Sequence, residues 1–94
     1  MSDPFDPFEP DYALALSDVE EELIRARVDL KHAPMNSAHE GFAVLLEEVE
    51  ELKAHVWMKQ KNRDLAKMRQ EAIEVAAMAV AFAAEVCGEE RGRK

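Results

Sequence analysis

The chain has 94 residues, enough for one small domain, and domains of this size are marginally stable unless they pack unusually well or oligomerise. Twenty acidic and 12 basic residues give a formal charge of −8, which argues against nucleic-acid and membrane partners and suits a protein that recruits cations. The single cysteine, Cys87, excludes an intrachain disulfide and a cysteine-based zinc site, and the first residues lack the features of a signal peptide, so we expect a cytoplasmic protein.

The two ends of the chain differ in composition from its middle. Three prolines fall in the first ten positions, where they remove backbone donors and restrict φ, so we expect residues 1–11 to form an extended or mobile arm. A single helical domain is expected over residues 12–88. The charged tail, residues 89–94, is expected to fray.

The first helix is predicted over residues 12–32. The segment from Ser17 to Glu20 matches a capping box, so the helix begins near Ser17 or continues from a turn at Asp11. Pro34 is expected to stop the helix shortly after its last turn. Apolar residues recur at spacings of three and four along it, at Leu16, Val19, Leu23, Ala26 and Leu30.

Two further helices follow after short loops. A second capping box, from Ser37 to Glu40, predicts a helix over residues 38–60. Within its first turn, Gly41 is either a tolerated glycine or the mark of a close backbone contact. A third helix is predicted over residues 63–87, with Asn62 or Asp64 as its cap and a glycine after its end.

The third helix is apolar on all sides between Val75 and Ala84. Such a helix is buried on most sides, yet the run is too short to span a bilayer. Because three helices cannot surround it, we predict an all-α bundle of three main helices per chain that is completed by oligomerisation, as a homodimer or homotetramer.

Carboxylates concentrate in the second helix. At 100° per residue, Glu47, Glu51 and Glu48 lie at about 0°, 40° and 100°, on one side of the helix. Two carboxylates about 5 Å apart repel by about 3 kcal/mol at an effective dielectric near 20, and a hard divalent cation would remove that penalty. The alternative is a solvated face, since an apolar stripe lies on the opposite side of this helix.

A second acidic pair, Glu71 and Glu74, lies where the apolar third helix begins. These residues are three apart and share one face of the helix. This face either binds a metal or is the one solvent-exposed (wet) edge of the helix, which Met78 and Glu85 continue. Glu51 lies about ten residues before the turn between the helices and Glu71 about ten after it, so the two pairs should come level. This register favours a metal site.

At these residues the chain resembles the MazG-like all-α nucleoside triphosphate pyrophosphohydrolases. Their signature is EExxE, a variable gap and then ExxD, and here the segments 47–51 and 71–74 match its two halves with 19 residues between them. The resemblance covers roughly residues 36–87. A glutamate, Glu74, stands where the family has an aspartate, one methylene shorter.

The resemblance implies a Mg²⁺-dependent enzyme, with Mn²⁺ as a substitute, that converts a nucleoside triphosphate to the monophosphate and pyrophosphate and serves in house-cleaning of non-standard nucleotides. Glu47 would help to position the attacking water. The implied metal ligands are Glu48, Glu51, Glu71 and Glu74.

Three further residues are weaker candidates for substrate binding. His55 lies one turn beyond Glu51 and could contact a phosphate or relay a proton, while Arg63 and Lys67 could balance phosphate charge. The alternative for all three is an ordinary surface position. Two other functions stay open: a non-catalytic regulatory module of the same fold, and a helical interaction module with no ancestral chemistry.

Overall fold

The structure is a computed structural model that describes Asp6 and residues 9–88. All regular structure within these residues is helical, which confirms the predicted all-α class with three main helices. The helices are α1 (Pro10–Ile24), α2 (Ala38–Val56) and α3 (Leu65–Ala81). α1 continues into a π-helical segment, Arg25–Asp29, and α3 into a second one, Phe82–Val86. None of the described helices is both long enough and apolar enough to span a bilayer. The predicted tail and most of the predicted arm lie outside the described residues.

α1 begins and ends at other places than the sequence predicted. It begins at Pro10, two residues early, because proline is well tolerated at the first helical position. Ser17 lies inside the helix, so its interpretation as a cap is wrong: the local motif is present, but the chain is already helical there. After the π-helical segment, Lys31 adopts a left-handed φ of 57° and the chain turns before it reaches Pro34.

The predicted cap at Ser37 is confirmed, and the reciprocal bond of the capping box goes to the preceding residue instead of to Ser37 itself. The Ser37 side chain accepts a hydrogen bond from the Glu40 amide at 3.1 Å, and the Glu40 carboxylate accepts one from the Asn36 amide at 2.6 Å. α2 then ends at Val56, earlier than predicted, where Arg63 donates to the Val56 carbonyl at 2.8 and 3.2 Å. These bonds satisfy a backbone acceptor at the helix end, which has no partner within the helix.

α3 begins at Leu65, and Asp64 is its cap. The Asp64 side chain accepts hydrogen bonds from the amides of Ala66 and Lys67 at 3.0 and 3.2 Å, which confirms one of the two predicted caps. A short 3₁₀ turn, Gln60–Asn62, connects α2 to α3.

The three helices do not pack equally against one another, since α1 and α2 each pack mainly on α3. α2 approaches the end of α3 closely at Gly41, where an added Cβ would lie 2.7 Å from a ring carbon of Phe82 and 3.1 Å from the sulfur of Met35. This decides in favour of the close-contact interpretation of the glycine. The core is small and consists of Ala26, Met35, Ile73, Ala77, Met78, Ala81 and Val86.

Within one chain, α3 is buried on one side only. Its inner face includes Met78, which is 8% exposed, and the half-buried Glu71, Glu74 and Glu85, so the wet-edge alternative for this line of residues is wrong. The opposite face of α3 is exposed and apolar, and we call it the alanine face. Its exposed members are Ala72, Ala79, Val80 and Ala83.

Candidate metal centre

Four glutamates converge between α2 and α3, and we call them the glutamate cluster. Each contributes a carboxylate oxygen to a group in which all four oxygens lie within 4.8 Å of one another. Two come from α2 and two from α3, because each pair is three residues apart on its helix and the antiparallel helices bring the pairs level. The predicted convergence is therefore present in the structure. The members are Glu48, Glu51, Glu71 and Glu74.

Two oxygens of the glutamate cluster lack hydrogen-bond partners although they are buried. They are Oε1 of Glu48 and Oε1 of Glu71. Most buried polar atoms in native proteins are paired, and an unpaired one carries a desolvation cost. A hard divalent cation takes carboxylate oxygens as ligands, so the donor set and its two unpaired oxygens fit Mg²⁺ or Mn²⁺.

The electrostatics of the cluster favour the neutral acid in the absence of a cation. Burial, followed by the negative charges of Glu51 and Glu74, raises the pKa of Glu48 to about 7. Burial also raises the pKa of Glu71, and the charge of Glu74 adds to this effect. Near neutral pH and without a cation, Glu48 is therefore still partly protonated, and a bound cation would displace that proton.

Neighbouring side chains contact the cluster from the same helices. Gln70 donates from Nε2 to Oε2 of Glu74 at 3.0 Å, which holds that carboxylate in place. His55 Nε2 lies 3.7 Å from Oε2 of Glu71, an ion-pair distance when the imidazole is protonated, and His55 Nδ1 is buried without a partner. His55 thus lies beside the cluster, and its contact with a phosphate stays a prediction.

A cleft of about 350 Å³ opens beside the cluster between α1 and α2, and we call it the α1–α2 cleft. Glu48 and Glu74 line it together with the predicted water-positioning residue, the exposed Glu47. A volume of this size falls at the lower end of small-molecule sites. The cluster therefore lies at the wall of a space into which a ligand could enter.

The other two predicted substrate-binding residues lie elsewhere. Arg63 bonds to the Val56 carbonyl, and Lys67 is an exposed residue of the first turn of α3. Neither of them lines the α1–α2 cleft, and His55 does not line it either. The basic residues that do line it, Arg25, Arg27 and His32, were not predicted from the sequence.

The sequence contains one weak signal for the basic residues that line the cleft. Glu22 and Arg25 are one turn apart on the first helix, where an oppositely charged pair is common on any exposed surface.

Comparison of the chain with protein-family models, with curated proteins and with solved structures found no match. The MazG-like resemblance therefore stays a prediction that rests on the two acidic segments.

Proposed function

We propose that the protein is a Mg²⁺-dependent nucleoside triphosphate pyrophosphohydrolase that forms the monophosphate and pyrophosphate. The observation that carries the proposal is the glutamate cluster, with its two buried, unpaired oxygens, at the wall of an open cleft. A cluster of this kind repels itself when all members are ionised, so it suits a site built around a cation. Mg²⁺ in proteins often shares its coordination sphere between carboxylates and substrate phosphates.

The residues that would hold the cation are those of the glutamate cluster. When bound, the cation would neutralise phosphate charge and lower the pKa of water at the site. Gln70 fixes Glu74 through its 3.0 Å hydrogen bond, which keeps one carboxylate oriented toward the cluster. Because Glu74 is one methylene longer than an aspartate, this constraint compensates for its greater freedom.

Glu47 has the position of a water-orienting residue. It is exposed and lines the α1–α2 cleft next to Glu48, outside the glutamate cluster. Its carboxylate is therefore placed to accept a proton from a water in the cleft. In this proposal, attack by that water on the α-phosphate leads to release of pyrophosphate.

The proposed assembly is a homodimer or homotetramer formed through the alanine face. This face is continuous and apolar, and small side chains allow a second helix to approach closely. Further exposed apolar side chains on α2, Phe42, Leu46 and Val49, flank α3 and could join the same interface. The interface lies on the side of α3 opposite the glutamate cluster.

The test is a screen of standard and modified nucleoside triphosphates with Mg²⁺ that detects pyrophosphate separately from orthophosphate. We expect pyrophosphate release by the wild type, its loss in Glu48→Gln and in Glu71→Gln, and its retention in Glu50→Gln, which changes an exposed carboxylate outside the cluster. Orthophosphate as the sole product would mean that a different bond is cleaved.

A non-catalytic module of the same fold is the second candidate. The glutamate at position 74 in place of the family's aspartate and the large exposed apolar surface favour it. The two candidates differ in one result: a non-catalytic module gains stability from Mg²⁺ without releasing either product from any nucleotide.

A further inference from the structure

Basic side chains line the α1–α2 cleft from the α1 side, next to Glu22, and carboxylates line it from α2 and α3. The carboxylates include Glu48 and Glu74 of the glutamate cluster, and the basic side chains include Arg25 and Arg27. An anionic ligand held by a cation at the cluster would leave negative charge on its far side. A basic residue on the facing wall could pair with that charge.

Arg27 is not available for this role. Its Nε and Nη2 atoms donate to the two carboxylate oxygens of Glu85 at 2.7 Å, and the Glu85 carboxylate also accepts from the Met35 amide at 2.9 Å. Both side chains of the pair are about four-fifths buried, at 19% and 18% exposure. Removing Arg27 from this contact would leave a buried carboxylate without its counter-charge.

Arg25 is in a different situation. Its side chain is 51% exposed and donates from Nε and Nη2 to Glu22, a neighbour one turn away on the same stretch of helix. A guanidinium has five N–H donors, so these two bonds leave the edge formed by Nη1 and Nη2 for a second bidentate acceptor. Glu22 is only 11% exposed, so this pair stays formed and Arg25 offers its remaining edge without breaking it.

Arg25 also lies within electrostatic reach of the cluster. Glu22 is the main cause of its raised pKa, and the charge of Glu74 contributes in the same direction. Arg25 and Glu74 both line the α1–α2 cleft, so a phosphate chain held between them would contact both the cation-binding carboxylates and the guanidinium.

We propose that Arg25 binds the phosphate chain of a nucleoside triphosphate on the wall of the α1–α2 cleft opposite the glutamate cluster. This inference rests on the proposed function and adds the group that recognises the triphosphate. Arg25 contacts the phosphates that follow the first phosphate of the chain. The residue therefore distinguishes triphosphates from monophosphates. Arg25 acts as a substrate-binding residue, and the removal of its charge affects KM more than kcat.

The experiment measures binding of inorganic tripolyphosphate and of a nucleoside monophosphate to the full chain, with Mg²⁺, by calorimetry. We expect Arg25→Gln to weaken tripolyphosphate binding by about tenfold or more and to leave monophosphate binding unchanged. Arg25→Lys should retain part of the affinity. Arg69→Gln is the matched control, because Arg69 pairs with Asp18 at 2.8 Å, is 49% exposed and lies outside the cleft.

Wild-type affinity in Arg25→Gln, equal losses in Arg25→Gln and Arg69→Gln, or no binding of tripolyphosphate by the wild type would each overturn the inference. The proposed function fails separately, if the wild type releases no pyrophosphate from any nucleotide. Binding that depends on Arg25 without such release would keep the phosphate site and reject the hydrolase.

Discussion

Arg27 and Glu85 lie 58 residues apart in the sequence and form two parallel hydrogen bonds of 2.7 Å each. The pair joins the two π-helical segments of the chain, and the Glu85 carboxylate adds a bond to the Met35 amide in the loop before α2. One carboxylate thus connects the ends of α1 and α3 with the loop that enters α2. Two of the residues joined in this way, Arg27 and Met35, also line the α1–α2 cleft.

We expect Arg27→Gln to lower the free energy of unfolding by about 1–3 kcal/mol, because the partly buried Glu85 loses a bidentate, charged donor. Urea denaturation that compares midpoints at constant m-value measures the loss. Arg69→Gln, which breaks the exposed pair with Asp18, should leave the midpoint unchanged within error. Equal losses in the two variants would show that the Arg27 pair has no special structural role.

The close contact at Gly41 predicts that alanine at this position destabilises the protein, whereas helix propensity alone predicts that it stabilises the protein. Gly41→Ala should destabilise the protein by about 1–3 kcal/mol, because the new Cβ would lie 2.7 Å from the Phe82 ring in a packed region. Propensity alone would stabilise this variant by up to about 1 kcal/mol. Ala43→Gly, at an exposed position of the same helix, calibrates the propensity effect. A higher thermal midpoint for Gly41→Ala would contradict the packing argument.

Much of the fold was predictable because the signals are local. The cap at Ser37 and the cap at Asp64 are each set by side chains within three residues of a helix start, so the sequence placed the beginnings of α2 and α3 within two residues. The glutamate cluster was predictable for a related reason: a short connection between antiparallel helices fixes which residues come level.

Other features depend on contacts that the sequence pattern does not encode. The apparent cap at Ser17 failed because a local motif does not report whether the preceding residues are already helical. Arg25 was not predicted as a cleft residue, because it comes near the glutamates of α3 only after α1 packs on α3. These glutamates lie more than 40 residues away in the sequence. The Arg27–Glu85 pair was missed for the same reason.

Stability without a cation should depend on pH through Glu48. Its pKa is raised from 4.5 to about 7, so the folded protein binds this proton more tightly than the unfolded chain. Unfolding releases the proton between these two values, so the contribution of Glu48 to stability in EDTA is complete below about pH 4.5 and is lost as the pH rises through 7. The raised pKa of Glu71 acts in the same direction.

Thermal midpoints in EDTA between pH 5 and 8 measure this effect. The decrease with pH should be smaller in Glu48→Gln, which cannot ionise, than in Glu50→Gln, which removes the same formal charge at an exposed position. Parallel curves for the two variants would assign the decrease to the net charge of the whole protein and not to Glu48.

We expect a dimer or tetramer at micromolar concentration, because a second chain would bury the alanine face and the exposed apolar residues of α2. Light scattering coupled to gel filtration measures the mass. Ala79→Glu, on the alanine face, should shift the mass toward a monomer, whereas Ala54→Glu, at an exposed position of α2, should not. A wild type that is a stable monomer would reject the predicted assembly.

The last prediction concerns metal binding at Glu51, the most exposed member of the glutamate cluster. In the wild type, Mg²⁺ or Mn²⁺ should raise the melting temperature, since a cation at 100 times its Kd stabilises the folded state by about 2.7 kcal/mol. Glu51→Gln should abolish this increase, because it removes a charged ligand and keeps the shape of the side chain. In EDTA the same variant should be as stable as the wild type or slightly more stable, because it has one fewer repelling carboxylate. Glu50→Gln is the matched control, one residue away on the solvent side of α2, and should respond to Mg²⁺ as the wild type does. A normal Mg²⁺ response in Glu51→Gln would mean that the cluster is a solvated acidic face with no metal site.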